Sequence, residues 1–307
     1  MKRLSVLRAA LLATAYGLLF GTAQAHGPLH GEIEQVSQEI SRNPRDPEFL
    51  VKRADLYRLD GNLQAALSDL AIADQSSPKP DGLEWIRSRV FVDQGKPSEA
   101  RADLDRWLAR HPRHEPALTL RAQVHELTGD LSSAVLDYNR AIEVTAQPSS
   151  DLYLARARVQ RQLGPGQIRE ALRGLDEGMA RLGVLVALQL EAISMEEASG
   201  RVDEALMRLD TLNRQSSRHE RWLVRKAELL TRAGRPEEAR RFWKEALEAC
   251  RLLPDRLRNL PSTQDLELQI RGNLPGEPFP ASTPTAIVRS SPNPGLRLLP
   301  NGVKLTP

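Results

Sequence analysis

The chain has 307 residues, with 43 Lys+Arg against 40 Asp+Glu and a pI of about 9.2. Three of the basic residues, Lys2, Arg3 and Arg8, lie in the first 25 positions; without them the two signs stand at 40 each, which excludes the concentrated basic face of a nucleic-acid binder. Cys250 is the only cysteine, so an internal disulfide is excluded and the core must hold by packing.

Residues 1–25, "MKRLSVLRAALLATAYGLLFGTAQA", have the three parts of a secretory signal peptide: a basic start, the apolar run Ala9 to Phe20, and the small-x-small site Ala23-Gln24-Ala25. The apolar run falls short of the roughly 20 residues of a bilayer span. Cleavage after Ala25 predicts a periplasmic or secreted chain that begins at His26 and keeps no stable membrane anchor. Residues 26–43 form an N-terminal arm and a capping helix, in which Ile33, Val36 and Ile40 share one helical face.

From residue 44 to residue 252 the sequence is periodic. Gly61, Gly95 and Gly129 are 34 apart, and Gly164, Gly200 and Gly234 follow at steps of 35, 36 and 34. Ala66, Ala100 and Ala134 trail the first three glycines by five residues, and Ala171, Ala205 and Ala239 resume the series. The insertion Gly164-Pro165-Gly166 accounts for the slip. The clearest copy is "LVKRADLYRLDGNLQAALSDLAIADQSSP", with Leu50, Ala54 and Tyr57 on a first helix, Ala66, Leu70 and Ala73 on a second, and Pro78 closing the unit. Each glycine ends one helix, and Pro97 and Pro236 stand where a second helix starts and a missing N–H is harmless. The fourth and fifth copies are weaker: Gly174, Gly178 and Gly183 thin the fourth's second helix, while Ile193 and Glu196 fill the fifth's small and aromatic slots.

Residues 253–273 form a C-terminal capping helix, with Leu266 and Ile270 one turn apart and Gly272 as its stop. Residues 274–307 are rich in Pro, Gly, Ser and Thr and have no helical period, which predicts a disordered tail.

With its period of 34, mid-repeat Gly and following Ala, the chain resembles the tetratricopeptide repeat family. The fold expected is all-α, a right-handed α-solenoid of about six helix-turn-helix units with capping helices. No unit buries its own apolar face, so stability comes from stacking.

The resemblance implies a concave groove lined by the first helices of successive units, which receives a protein or peptide partner. Carried onto this sequence, the groove presents Val51, Asp55 and Arg58, then Trp85, Arg89 and Val92, then Thr119, Gln123 and Glu126, then Leu154, Arg158 and Arg161, and last Leu190, Ser194, Val224 and Glu228. Trp85, Arg89, Arg158 and Arg161, with Asp55 and Gln123, are the expected partner-binding residues, since Trp and Arg dominate binding hot spots. The Lys and Asn clamp of the chaperone-binding subset is absent, because Val51 with Asp55 and Trp85 with Arg89 hold its positions.

No phosphate loop, HExxH, CxxC or Gly-x-Ser-x-Gly motif occurs, so neither an enzyme nor a cofactor is expected. His125 takes the slot of Tyr57 and Phe91 as a core filler, and His111 and His114 lie solvated at a joint between units. Cys250 reads as a small buried residue late in a helix. One alternative concerns metal. His26, as a free N-terminus, offers an amine and an imidazole, and a turn at Gly27-Pro28 could bring His30 to the same Cu²⁺.

Overall fold

A computed structural model of the protein describes residues 26–274. The expected signal peptide and all but the first residue of the expected tail lie outside the described residues. Six helix pairs follow one another: α2 (Glu48–Leu59) with α3 (Leu63–Ala73), α4 (Leu83–Asp93) with α5 (Pro97–Arg110), α6 (Glu115–Thr128) with α7 (Leu131–Val144), α8 (Ser150–Leu163) with α9 (Ile168–Leu182), α10 (Val186–Ala198) with α11 (Val202–Gln215), and α12 (His219–Arg232) with α13 (Pro236–Arg251). Before them α1 (His26–Arg42) packs on α2; after them come a single turn, α14 (Asp255–Arg258), and α15 (Pro261–Gly272), which packs on α13. The solenoid of stacked pairs is therefore the fold.

The turn inside each pair follows from one residue type. Gly61, Gly95, Gly129, Gly200 and Gly234 have φ between 68° and 80°, the left-handed region where a side chain is strained. The amide after each glycine then reaches back five residues, as in Asn62 N to Tyr57 O at 2.8 Å and Asp130 N to His125 O at 2.9 Å, closing the first helix. Asn62 and Asp130 also cap the second helix, their side chains accepting from Ala65 N and Ser133 N at 3.2 Å. At the inserted Gly164-Pro165-Gly166 a 3-10 turn, Pro165–Gln167, replaces this arrangement. Where the two helices of a pair cross, Ala54, Ala66, Ala122, Ala134, Ala205 and Ala227 are wholly buried, and Leu70, Leu104, Tyr138 and Leu209 fill the space between pairs.

A ladder of ion pairs runs through the first three units. Arg53, Arg87 and Arg121, 34 apart, each donate two hydrogen bonds to Asp69, Asp103 and Asp137 on the partner helix, at 2.7–2.8 Å. Arg87 also reaches Asp74 at 3.2 Å and Arg121 reaches Asp105 at 2.8 Å, so each guanidinium ties its own pair to the preceding one. The carboxylates are almost wholly buried, and forked bonding is what makes such burial tolerable.

The fourth and fifth units vary this scheme rather than weakening it. Gly174 stands where an Asp would be; its carbonyl accepts from Arg156 Nη2 at 3.2 Å, and a Cβ there would lie 2.5 Å from that nitrogen. Gly178 leaves room for the Tyr153 ring in the same way. These glycines admit two large side chains, which corrects the expectation that they merely thin the helix. In the fifth unit the polarity reverses: Arg208, on the second helix, donates to buried Glu196 on the first at 2.8 Å and to Asp176 of the unit before at 2.8 Å. Burial pushes the Glu196 carboxyl up, with Arg208 opposing the shift.

Leu274, placed at the start of the tail by composition, is buried in the core of the last pair with Ile270 and Cys250. The arm before the first cap is also ordered differently from expectation. Gly27, Pro28 and Gly31 all lie within α1, so the backbone between His26 and His30 is helical instead of turning back.

Candidate functional site

The first helices of neighbouring units touch, α2 with α4 and α8 with α10, so residues at one register position of successive units meet along one face. Between α4 and α6 this face holds an open groove of about 470 Å³, lined by Trp85, Arg89 and Val92 on one side and by Pro116, Leu120 and Gln123 on the other. Its upper edge is Arg58 and Asp93, and Glu115 and Thr119 complete the α6 wall.

The charges along this groove are paired. Asp55 accepts from Arg58 Nε at 2.8 Å and from Arg89 Nη1 at 3.2 Å, one repeat away, and Arg58 continues to Asp93 at 3.1 Å. The Arg89 guanidinium also lies over the Trp85 ring, 5.4 Å from its centroid. Burial, followed by the nearby charge of Arg58, lowers the Arg89 pKa. The structure thus brings Trp85, Arg89, Asp55 and Gln123 to one place. The guanidiniums there are already engaged, leaving Trp85 and its apolar neighbours as the open part of the surface.

Arg158 and Arg161 form a second cluster on α8. Both converge on Glu191 of α10, at 3.5 Å and 3.0 Å, and both stay substantially exposed. Glu126, beside this cluster, takes a hydrogen bond from Tyr138 Oη at 2.5 Å; burial raises its pKa against the pull of Tyr138 and Arg158. Three residues expected in the groove are not open to it. Val51, Leu154 and Val224 are buried by the stacking of units, whereas Leu190, at the same register position of the fifth unit, stays exposed.

Behind Trp85 lies a group that the sequence reading placed in solvent. His111 stacks on Trp107, ring centroids 3.8 Å apart, and His114 sits edge-on between Trp85 at 5.0 Å and Trp107 at 5.5 Å. His114 Nδ1 also accepts from Ala117 N at 3.3 Å and so caps α6. These histidines pack at the joint between units, where Trp85 of α4 and Trp107 of α5 both turn their rings toward it. The cue available was the combination of Trp85 and Trp107 with "RHPRHEP", where Pro116 near the start of a helix marks His114 as its cap. His125 is buried as expected, its ring facing Asp130 and Asp137 at 3.4 Å and 3.7 Å. Cys250 is a buried free thiol, pushed up to about 11 by burial and then by the charges of Glu220 and Glu267.

His30 is exposed on α1, and His26 lies one helical turn before it. Among the described residues no group of three or more His, Cys, Asp or Glu gathers to hold a metal ion, and no helix is long and apolar enough to cross a membrane.

A family model described as tetratricopeptide repeat matches residues 87–151, which include the α6 wall of the groove and Arg89 and Val92 of the α4 wall but not Trp85. No curated protein matches the chain. Among solved structures, the chain is similar to the C-terminal part of a TPR repeat-containing protein from Cytophaga hutchinsonii, at 12% identity over 78% of this chain and 94% of that one, with a TM-score of 0.58. It is similar also to a tetratricopeptide repeat protein from Parabacteroides merdae, at 17% identity over 85% and 98%, with a TM-score of 0.48. A third is YrrB, described as a TPR protein with an unusual peptide-binding site, at 14% identity over 78% and 99%, with a TM-score of 0.42. The Cytophaga likeness supports the repeat-solenoid fold.

Proposed function

We propose that this protein is a non-catalytic scaffold of the periplasm or cell exterior that holds a segment of a partner protein in the groove between α4 and α6. The observation that carries this reading is the groove itself: Trp85, Val92, Pro116 and Leu120 form an apolar floor, bordered by Arg89 and Gln123. Trp and Arg anchors with a polar border are the composition of binding hot spots. Arg158 and Arg161, sharing one carboxylate, offer a second contact for an acidic side chain farther along the same face. Export follows from the signal-like first 25 residues, and sequencing the N-terminus of the chain recovered from the periplasm tests it.

The groove is tested by photo-crosslinking from Gln123 and, as control, from exposed Leu136 on the second helix of its pair. A partner caught from Gln123 alone is identified and its affinity measured. Trp85→Ala should then weaken binding by about 30-fold, a loss of about 2 kcal/mol. Equal affinity for the variant sinks the assignment.

A second reading rests on the register of α1, where His26 and His30 stand at i and i+4 on a helix, a spacing that places two residues on one face. Copper binding by these two is tested by titrating the exported chain and His30→Ala with Cu²⁺. Equal, weak binding by both removes it.

A further inference from the structure

We propose that His114 is a pH-sensitive pin for the groove: as neutral imidazole it caps α6 and wedges between Trp85 and Trp107, and on protonation it releases the first turn of α6, which is one wall of the groove. Its consequence for partner binding rests on the groove reading above; the release of α6 does not.

The geometry points one way. Nδ1 accepts from the Ala117 amide at 3.3 Å, beside that amide's bond to the His114 carbonyl at 3.1 Å, so a proton on Nδ1 removes the side-chain cap and sets two donors against each other. A cation at this position also faces the positive end of the α6 dipole. Half-burial between two indole rings removes the water that would solvate it.

The charged groups around the ring leave this balance in place. On α4, Glu84 is held by Arg110 of α5 at 2.7 Å, and Arg89 lies over Trp85 and is bound to Asp55. In the joint, His111 stacks on Trp107 and reaches Asp81 at 3.3 Å. On α6, Glu115 accepts from Thr119 Oγ1 at 2.8 Å and is the one carboxylate that favours a proton on His114. Burial, and then the like charge of His111, outweigh it and lower the His114 pKa.

The linkage sign follows. A folded-state affinity for protons below that of the open state means that the cap is fully in place above the ordinary histidine value of about 6.5 and is lost as pH falls below it. Each pH unit of difference between the two states changes the opening equilibrium by up to about tenfold.

The experiment uses the full exported chain. Hydrogen exchange of the Ala117 to Leu120 amides, corrected for intrinsic chemistry, is followed from about pH 7.5 to about pH 5, on either side of the ordinary value. Protection should fall in the native chain as pH drops and stay level in His114→Asn, since Asn keeps a capping oxygen but cannot titrate. Equal pH dependence in the two chains overturns the proposal. Should the variant fail to fold, NMR titration of the native His114 imidazole decides: a midpoint below about 6.5 supports the pin and one at or above it refutes it. Partner capture from Gln123 at the higher pH, where the cap is in place, tests the groove alone, so the two readings fail separately.

Discussion

Gly178 offers the sharpest test of how the fourth unit is packed. It lies inside α9, where replacing Gly by Ala ordinarily stabilises a helix by about 1 kcal/mol. Here the new methyl would sit 2.8 Å from Tyr153 Cγ and 3.1 Å from both Cδ atoms, closer than carbon atoms pack. The ring has no easy retreat. Tyr153 is wholly buried, its hydroxyl accepts from Arg181 Nη1 at 3.2 Å, and the Arg156 guanidinium lies 5.3 Å from its centroid. Overpacking of this kind costs up to about 3 kcal/mol, which leaves Gly178→Ala about 2 kcal/mol less stable after the propensity gain. Thermal unfolding followed by circular dichroism should then show Tm lowered by roughly 4–8 °C. Gly31→Ala is the matched control, since nothing lies within 4 Å of its added methyl and α1 surrounds it. It should raise Tm by up to about 4 °C. A Gly178→Ala chain as stable as the native one would refute the packing argument.

The ion-pair ladder gives a second outcome: Asp103→Asn leaves Arg87 buried with only the more distant Asp74, and urea unfolding should show a loss of about 3 kcal/mol. Ala134→Trp, at a wholly buried helix crossing, should cost about 1–3 kcal/mol in the same assay; an unchanged midpoint argues against the register. Cys250, pushed up to about 11 when folded, stays a thiol where an unfolded one near 8.5 ionises. Its stabilising contribution is therefore complete below about 8.5 and lost as pH rises toward the folded value, so Cys250→Ala should show a flatter alkaline decline, and thiol reagents should label the native chain only as it unfolds.

Most of the fold is legible in the residues because a repeat states its own rules several times. A glycine at a fixed place, an alanine five residues on and an apolar face on each side suffice to draw six pairs, since each copy must satisfy the same stacking geometry. The ladder of Arg53, Arg87 and Arg121 with Asp69, Asp103 and Asp137 obeys that same period, and its 16-residue offset is visible in the sequence. It is easily passed over, because charged residues on helices usually face water and only the three-dimensional crossing shows these carboxylates buried.

The site is legible only in part, and for a different reason. Register places Trp85, Arg89, Asp55 and Gln123 on one face, but it cannot say which of them are already spoken for. Asp55 and Arg89 are one repeat apart and satisfy each other, and Arg158 and Arg161 converge on Glu191 from the next unit. Such pairings depend on the rotation between neighbouring units, which no single repeat encodes. The same rotation turns the joint before α6 into a slot between Trp85 and Trp107, and so turns His114 from a solvated linker residue into a cap held between rings. In a solenoid the helices follow from the copies, whereas the chemistry of the surface arises between them. The side chains that carry function are thus to be sought where consecutive copies differ, as at Thr119 against Trp85 and Val51, and not where they agree.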